Sequence, residues 1–415
     1  MRLRQHRFAA TSLPRVAIIR RRRVWSATAV TEGRASRALG PTSIGLIAVA
    51  VMALALLPAA SGEAAAKVPK DFFGLVQWDP PDAKDAQQMR AIKVRTMRLF
   101  FNWRAIEPQQ GVYRWPDDLV ATLAENGIRP VFTIQTAPEW ATGDPNPGSP
   151  PIAAPALRAW QEFLKRTVGR YGPQGSFWRQ HPEVPKMAVK AWQVWNEPNL
   201  PKSFAQAGTF PPTLVKDAPE VYANLVEASD RAIGKADPHA QVVLAGLLGN
   251  PNRTTQSKMA PEKFLDRFLD VPGITKHFDA VGLHPYAPTV KSYRRIVTKI
   301  RGVLRRGGAG KKDLWLDEVG WGSANDRFRL NKGKQGQAKL LSKSFALTLE
   351  NRRKWNVDHL YWFDWRDPDP ARPDGCSFCD SAGLLKFDRT RKPSYRKFRH
   401  FTRLQGKSHR NHHHG

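Results

Sequence analysis

Eight short, almost wholly apolar runs, separated by polar loops and amphipathic helical stretches, predict an α/β fold: a single (β/α)8 TIM barrel. The runs are apolar nearly throughout rather than alternating, as parallel strands covered by helices require. No glycine-rich phosphate-binding turn follows the first of them, which disfavours a doubly wound sheet. Strands are expected at Phe72–Trp78, Thr96–Trp103, Arg129–Thr136, Val189–Trp195, Gln241–Leu248, Phe278–His284, Asp313–Glu318 and His359–Asp364. Helical patterns between them cover Asp117–Asn126, Pro155–Tyr171, Val221–Ala236, Pro261–Leu269, Val290–Arg306 and Gly336–Trp355, and Lys392–Phe401 closes the series. Many begin after Pro, Asp or Ser and end at Gly or Asn, as capping requires. One domain, 68–406, is expected between a leader (1–66) and a basic, His-containing tail (407–415).

The 415 residues carry 66 Lys and Arg against 36 Asp and Glu, a formal net charge of +30, and 41% are hydrophobic. That apolar share supports a packed core and excludes a wholly disordered chain. Two cysteines exclude a disulfide-dense scaffold and a multi-cysteine zinc protein. Residues 1–37 hold ten Arg and one acid, Glu32, and Ile44–Leu57 is an apolar run of 14 residues ended by Pro58. A membrane span needs ~20 residues, whereas a signal-peptide core is shorter. Ala64-Ala65-Ala66 then supplies small residues for cleavage. A cleaved signal and a secreted protein are expected, the alternative being an uncleaved anchor with the body facing outside the membrane. Export argues against a nucleic-acid partner. Residues 386–415 hold ten basic residues and one Asp, a surplus that suits an anionic cell envelope or membrane, or a plain solvated basic surface.

In such a barrel the reacting groups lie just past the C-terminal ends of the strands. The fourth strand ends in Trp195-Asn196-Glu197-Pro198-Asn199, and the seventh in Asp317-Glu318-Val319-Gly320-Trp321. The fold brings both to one mouth, so two Glu separated by 121 residues face each other. Paired carboxylates about 5–5.5 Å apart suit retaining glycoside hydrolysis, in which one attacks the anomeric carbon and the other protonates the leaving oxygen. Either Glu alone would read as a solvated loop acid; together, at these two strand ends, they read as a catalytic pair.

The two motifs resemble the catalytic signatures of clan A glycoside hydrolases, retaining (β/α)8 enzymes, with family 39-like and family 5-like features across residues 71–403. The resemblance implies Glu197 as acid/base, Glu318 as nucleophile, an oligo- or polysaccharide substrate and no cofactor or metal. It implies a bond from Asn196 to the sugar 2-hydroxyl and places Arg98 against the nucleophile. It puts His284 and Tyr286, from His284-Pro285-Tyr286, on the nucleophile or substrate, and Trp362 beneath the sugar as a stacking platform. Trp78, Trp140, Trp321 and Trp365 are further candidates for lining the groove. The function expected is exported hydrolysis of β-glycosidic bonds, the alternatives being a non-catalytic polysaccharide-binding barrel or a membrane-anchored barrel in exopolysaccharide processing. Cys376 and Cys379 read as a small-loop disulfide, since a zinc site would need two more ligands. Asp364, Asp367 and Asp369 match no calcium-loop spacing.

Overall fold

The eight apolar runs become eight parallel strands that close on themselves in sequence order. They are β1 (Phe73–Gln77), β2 (Thr96–Asn102), β3 (Arg129–Gln135), β4 (Ala191–Val194), β5 (Gln241–Leu248), β6 (Ala280–His284), β7 (Asp313–Val319) and β8 (Val357–Phe363). Pairing of Phe73 with Leu360 and of Val76 with Phe363 joins β1 to β8 and leaves no edge. The structure is a computed structural model and describes residues 67–249, 259–371, 376 and 378–407. The leader, with its apolar run, and the residues after 407 lie outside the described residues.

The helices are α1 (Ala83–Ala91), α2 (Trp103–Ile106), α3 (Asp117–Glu125), α4 (Glu139–Thr142), α5 (Ala154–Tyr171), α6 (Ser176–Gln180), α7 (Ala218–Ala236), α8 (Pro261–Leu269), α9 (Val290–Arg306), α10 (Gly333–Trp355) and α11 (Pro393–Thr402). β5, α8 and α9 have the expected bounds; most other ends differ by one to three residues. The sequence reading passes over α1, whose buried residues are only Asp85, Ala86 and Met89, too thin a stripe to stand out. Its start is nonetheless secured by Asp82, which accepts the Asp85 N–H. The α2 and α4 segments are single turns within βα loops, and α6 is a short turn in the connection from α5 to β4.

Two apolar layers result. Val76, Val131, Ala191, Val243 and Ala280 fill the barrel interior, and a larger layer lies between strands and helices. Strand parity decides which layer a side chain joins. Along β8, Leu360 and Trp362 face the helices, whereas Tyr361 and Phe363 face inward. Val68 N–H donates to the Lys407 carbonyl and Gly406 N–H to the Val68 carbonyl, tying the two ends of the described chain together. No helix among the described residues is long and apolar enough to cross a membrane.

Candidate active site

Above the apolar interior layer, four strands turn a buried polar side chain inward: Arg98 from β2, Thr133 from β3, Gln193 from β4 and Asp317 from β7. Left without a partner, a buried polar group costs roughly 2–7 kcal/mol; here they satisfy one another. Gln193 Oε1 accepts from Arg98 Nε and Thr133 Oγ1, both at 2.6 Å. Gln193 Nε2 donates to Asp317 Oδ2 at 2.5 Å and to the Leu244 carbonyl at 3.0 Å. Asp317 Oδ1 accepts the Leu283 N–H at 2.7 Å. Gly282 leaves the space, since a Cβ there would lie 2.7 Å from both Asp317 Oδ2 and Gln193 Nε2.

Arg98 carries this network to the mouth. Its Nη1 donates to Glu318 Oε1 at 2.6 Å and its Nη2 to Asn196 Oδ1 at 2.8 Å. Tyr286 OH donates to Glu318 Oε2 at 2.8 Å. Both oxygens of Glu318, which is 6% exposed, are thereby held in place. Burial, then the charge of Glu318, hold the Tyr286 phenol well above its ordinary value, so it remains a donor. Asp317 and Glu318 are chain neighbours, yet both reach inward. The register of β7 against β8 shifts between Leu316 and Val319, an irregularity that releases the strict alternation of faces.

Glu197 leaves β4 with φ 45°, two residues after Trp195 at 70°. These left-handed conformations cost non-glycine residues on the order of 1–3 kcal/mol and recur at functional sites. The Glu197 N–H donates to the Gly246 carbonyl at 3.2 Å, where the register of β5 against β6 shifts. Gly246 also makes room for His284, because a Cβ there would overlap the imidazole Nε2. The buried His284 ring places Nδ1 2.9 Å from Glu197 Oε1 and 3.4 Å from Glu318 Oε2. Its Nε2 is 3.6 Å from Asp317 Oδ1, an ion-pair rather than a hydrogen-bond distance.

Burial opposes a charge on His284, but the carboxylates of Glu318 and Asp317 outweigh it and push the imidazole up to about 10. The ring is therefore a cation at neutral pH and donates Nδ1–H to Glu197. Burial would raise Asp317, yet the charge of His284 and its contact, then Arg98, hold it below the ordinary carboxylate value. One oxygen of Glu197, one of Glu318 and a ring nitrogen of His284 lie within 4.8 Å of one another. Among the described residues this is the one cluster of metal-ligating types, and its members are bound to each other, to Arg98 and to Tyr286.

Glu197, Glu318, Asn196, Arg98, His284 and Tyr286 thus converge. Trp362 does not join them, which corrects the expectation of a stacking platform there. It is fully buried on the outward parity of β8, its ring 6.2 Å from Phe345 of α10 and 6.1 Å from Trp321, beyond the reach of a sugar. Trp321 and Trp365 are buried too, their indole N–H groups donating to the Ala287 carbonyl and to Asp85. Trp140 is half-buried and donates to the Glu107 carbonyl. Trp78 is 48% exposed, edge-on to Phe100 at 5.2 Å, and the Arg98 guanidinium covers Phe100 at 5.0 Å. Cys376 and Cys379 are joined as a disulfide in the loop after β8. Asp364 accepts the Trp78 and Trp365 N–H groups and Asp367 accepts from Lys392. The motifs do not include Thr133 or Gln193 and give Asp317, the neighbour of Glu318, no role of its own; a polar residue at an inward position of an apolar strand is the signal that would.

Comparison with known proteins agrees with this architecture. The glycoside hydrolase family 42 model, described as beta-galactosidase, matches residues 76–145. No curated protein matches the sequence. A family 39 glycoside hydrolase from Bacteroides cellulosilyticus WH2 superposes with a TM-score of 0.59 at 20% identity, over 81% of this chain and 64% of that one. The exo-beta-1,4-mannosidase Op5Man5 from Opitutaceae bacterium strain TAV5 gives 0.55 at 15% identity, over 82% and 60%. A GH5_18 protein from Streptomyces cattleya, solved with GlcNAc, gives 0.57 at 17% identity, over 81% and 80%. The chain spans less than two thirds of the length of the first two. It therefore has the fold of the clan A glycoside hydrolases that its strand-end motifs resemble, a closed (β/α)8 barrel.

Proposed function

We propose that this chain is an exported retaining glycoside hydrolase that cleaves β-linked sugars by double displacement. Glu318 is the nucleophile and Glu197 the general acid and then base. The observation that carries this reading is the spacing of the two carboxylates, with oxygens within 4.8 Å of each other. That suits direct attack by one of them, whereas inverting enzymes keep about 6.5–9.5 Å to admit a water between.

In the first step a Glu318 oxygen bonds to the anomeric carbon, the glycosidic C–O bond breaks, and the leaving oxygen takes the proton of Glu197. Arg98 and Tyr286 fix the attacking carboxylate. His284 holds Oε1 of the 13%-exposed Glu197 and leaves Oε2 for the proton. The carboxylate left on Glu197 is stabilised by the His284 cation. In the second step Glu197 takes a proton from water, whose oxygen displaces Glu318 from the anomeric carbon. Asn196, its Oδ1 engaged by Arg98, has its amide NH2 as the donor for a sugar hydroxyl. The exposed face of Trp78 suits the C–H face of a pyranose ring. The mannosidase and GlcNAc-bound neighbours support a β-linked hexose-containing substrate. Export rests on the basic leader, the 14-residue apolar run and Ala64-Ala65-Ala66.

Assay on aryl β-glycosides and on polysaccharides tests the assignment. Glu318→Gln is expected to abolish turnover on every substrate. Glu197→Gln is expected to lose about 10²–10⁴-fold on natural glycans, to keep its first step on aryl glycosides, and to be rescued by azide. Undiminished activity of Glu197→Gln on natural glycans would contradict its role.

A further inference from the structure

Charge is spread unevenly over the helices that ring the barrel. α3 carries three acids and no base, and α7 three acids against two bases. α9, by contrast, has seven Lys and Arg and no acid. α10 has six with Glu350 as its one acid, and α11 has three and no acid. These three helices are neighbours, with α10 packed against both others. Tyr293 OH and Thr348 Oγ1 join α9 to α10 at 2.7 Å, and Phe345 packs 6.0 Å from Phe398 and 5.3 Å from Phe401 of α11.

Because the apolar faces turn inward, the cations point out: Arg294, Arg295, Lys339, Lys343, Arg396 and Lys397 are all exposed. Acids reach this wall from α8 at one flank, where Glu262 pairs with Lys299 and Asp266 with Arg306. Within the wall like charges oppose one another. Burial and then the charge of Arg353 lower the Arg352 guanidinium against the pull of Asp358, and burial and then Arg305 lower Arg301, a buried residue beneath the wall, against the pull of Asp313. Such self-repulsion destabilises a compact state, and an anionic partner relieves it. The exposed large hydrophobic side chains among the described residues, Trp78, Val112, Ile152, Phe210 and Phe387, all lie in βα loops. The wall therefore presents charge with no large apolar group to insert into lipid or to stack on nucleic-acid bases.

We propose that the outer face of α9, α10 and α11 is a docking surface for an anionic glycan, a sugar polymer bearing carboxylates, held by charge on the flank of the barrel and away from its mouth. α9 alone extends about 25 Å at 1.5 Å per residue, with α10 roughly 8–10 Å beside it, so the wall engages several charged groups of one polymer. The choice of a glycan among polyanions rests on the proposed glycosidase activity; the surface itself does not. A polymer held on the flank keeps the mouth supplied while it works on a neighbouring segment.

Binding to polygalacturonate, measured by titration calorimetry on the Glu318→Gln chain, tests this without turnover, so a failure of docking and a failure of hydrolysis read out separately. In that background R294Q/R295Q/K343Q/R396Q/K397Q removes five charges from the wall, and K84Q/R90Q/K216Q/K235Q/K263Q removes five elsewhere. The wall variant is expected to bind about tenfold or more weakly, the scattered variant within about twofold of the parent, and raised salt to weaken the parent steeply. Unchanged thermal unfolding of both variants shows that folding is intact. Equal losses in the two variants would overturn the proposal in favour of net charge alone. So would failure of the parent to bind polygalacturonate, or tighter binding to phosphatidylglycerol vesicles than to the polymer.

Discussion

Asp317 touches no substrate in the proposed reaction, yet it lies between the two cations, Arg98 and His284, that flank the paired carboxylates. It is fully buried, 3.5 Å from Arg98 Nε and 3.6 Å from His284 Nε2. The groups facing His284 are Glu197 from the end of β4, Tyr286 just past β6, and Asp317 and Glu318 from β7, with Arg98 of β2 bound to Glu318. Removing one of its carboxylate neighbours lowers the affinity of the imidazole for its proton. Asp317→Asn is therefore expected to lower the pH at which the His284 ring loses its proton, read from its imidazole resonances in an NMR titration, a change that a merely structural loss would not produce. Breaking a buried charge pair from one side also costs on the order of 3–5 kcal/mol of stability. The linkage has a definite sign. His284 is raised from 6.5 to about 10, so its contribution to stability is complete below pH 6.5 and is lost as pH rises through 10. Thermal unfolding of the wild type between those limits, compared with His284→Gln, is expected to show a smaller fall in Tm with pH in the variant.

At the scale of elements, irregularities in an otherwise regular barrel aim the two carboxylates proposed as the catalytic pair. The shift in β7 lets two successive acids face inward, and the shift in β5 carries Gly246, which binds the Glu197 N–H and leaves space for His284. Gly246→Ala is expected to displace the imidazole, to cost about 1–3 kcal/mol from overpacking, and to depress kcat far more than KM, which steady-state kinetics beside thermal unfolding would show. A Tm and kcat both at the wild-type level would contradict the close approach. These features also mark how far the sequence could be read. The meeting of Glu197 and Glu318 at the mouth was legible because each ends an apolar run at the C-terminal rim of the barrel. Trp362 misled because β8 ends in Leu360-Tyr361-Trp362-Phe363, apolar or aromatic on both faces, so nothing there says which aromatic points inward; in the barrel Phe363 does and Trp362 does not. Asp317 was hidden by adjacency, since strict alternation would have put it and Glu318 on opposite faces. Helix α1 was hidden by its three-residue buried stripe.

For the whole molecule, the separation of tasks follows from the architecture. The mouth is assembled from strands far apart in sequence, and the flank of α9 to α11 carries a surplus of positive charge. N-terminal sequencing of protein recovered from the medium is expected to start near residue 67; recovery of Met1 in a membrane fraction would instead favour the anchored form. Spacing of the carboxylates, their hydrogen bonds and the strand-end motifs all converge on the proposed covalent step at Glu318. The most direct measurement is intact-mass spectrometry with peptide mapping after incubation with 2-deoxy-2-fluoro β-glycosides bearing activated leaving groups. Double displacement predicts a mass gain of one fluorosugar on the peptide containing Glu318, absent from Glu318→Gln. Turnover of the matching aryl glycoside with no adduct, or with product released first as the opposite anomer, would contradict it.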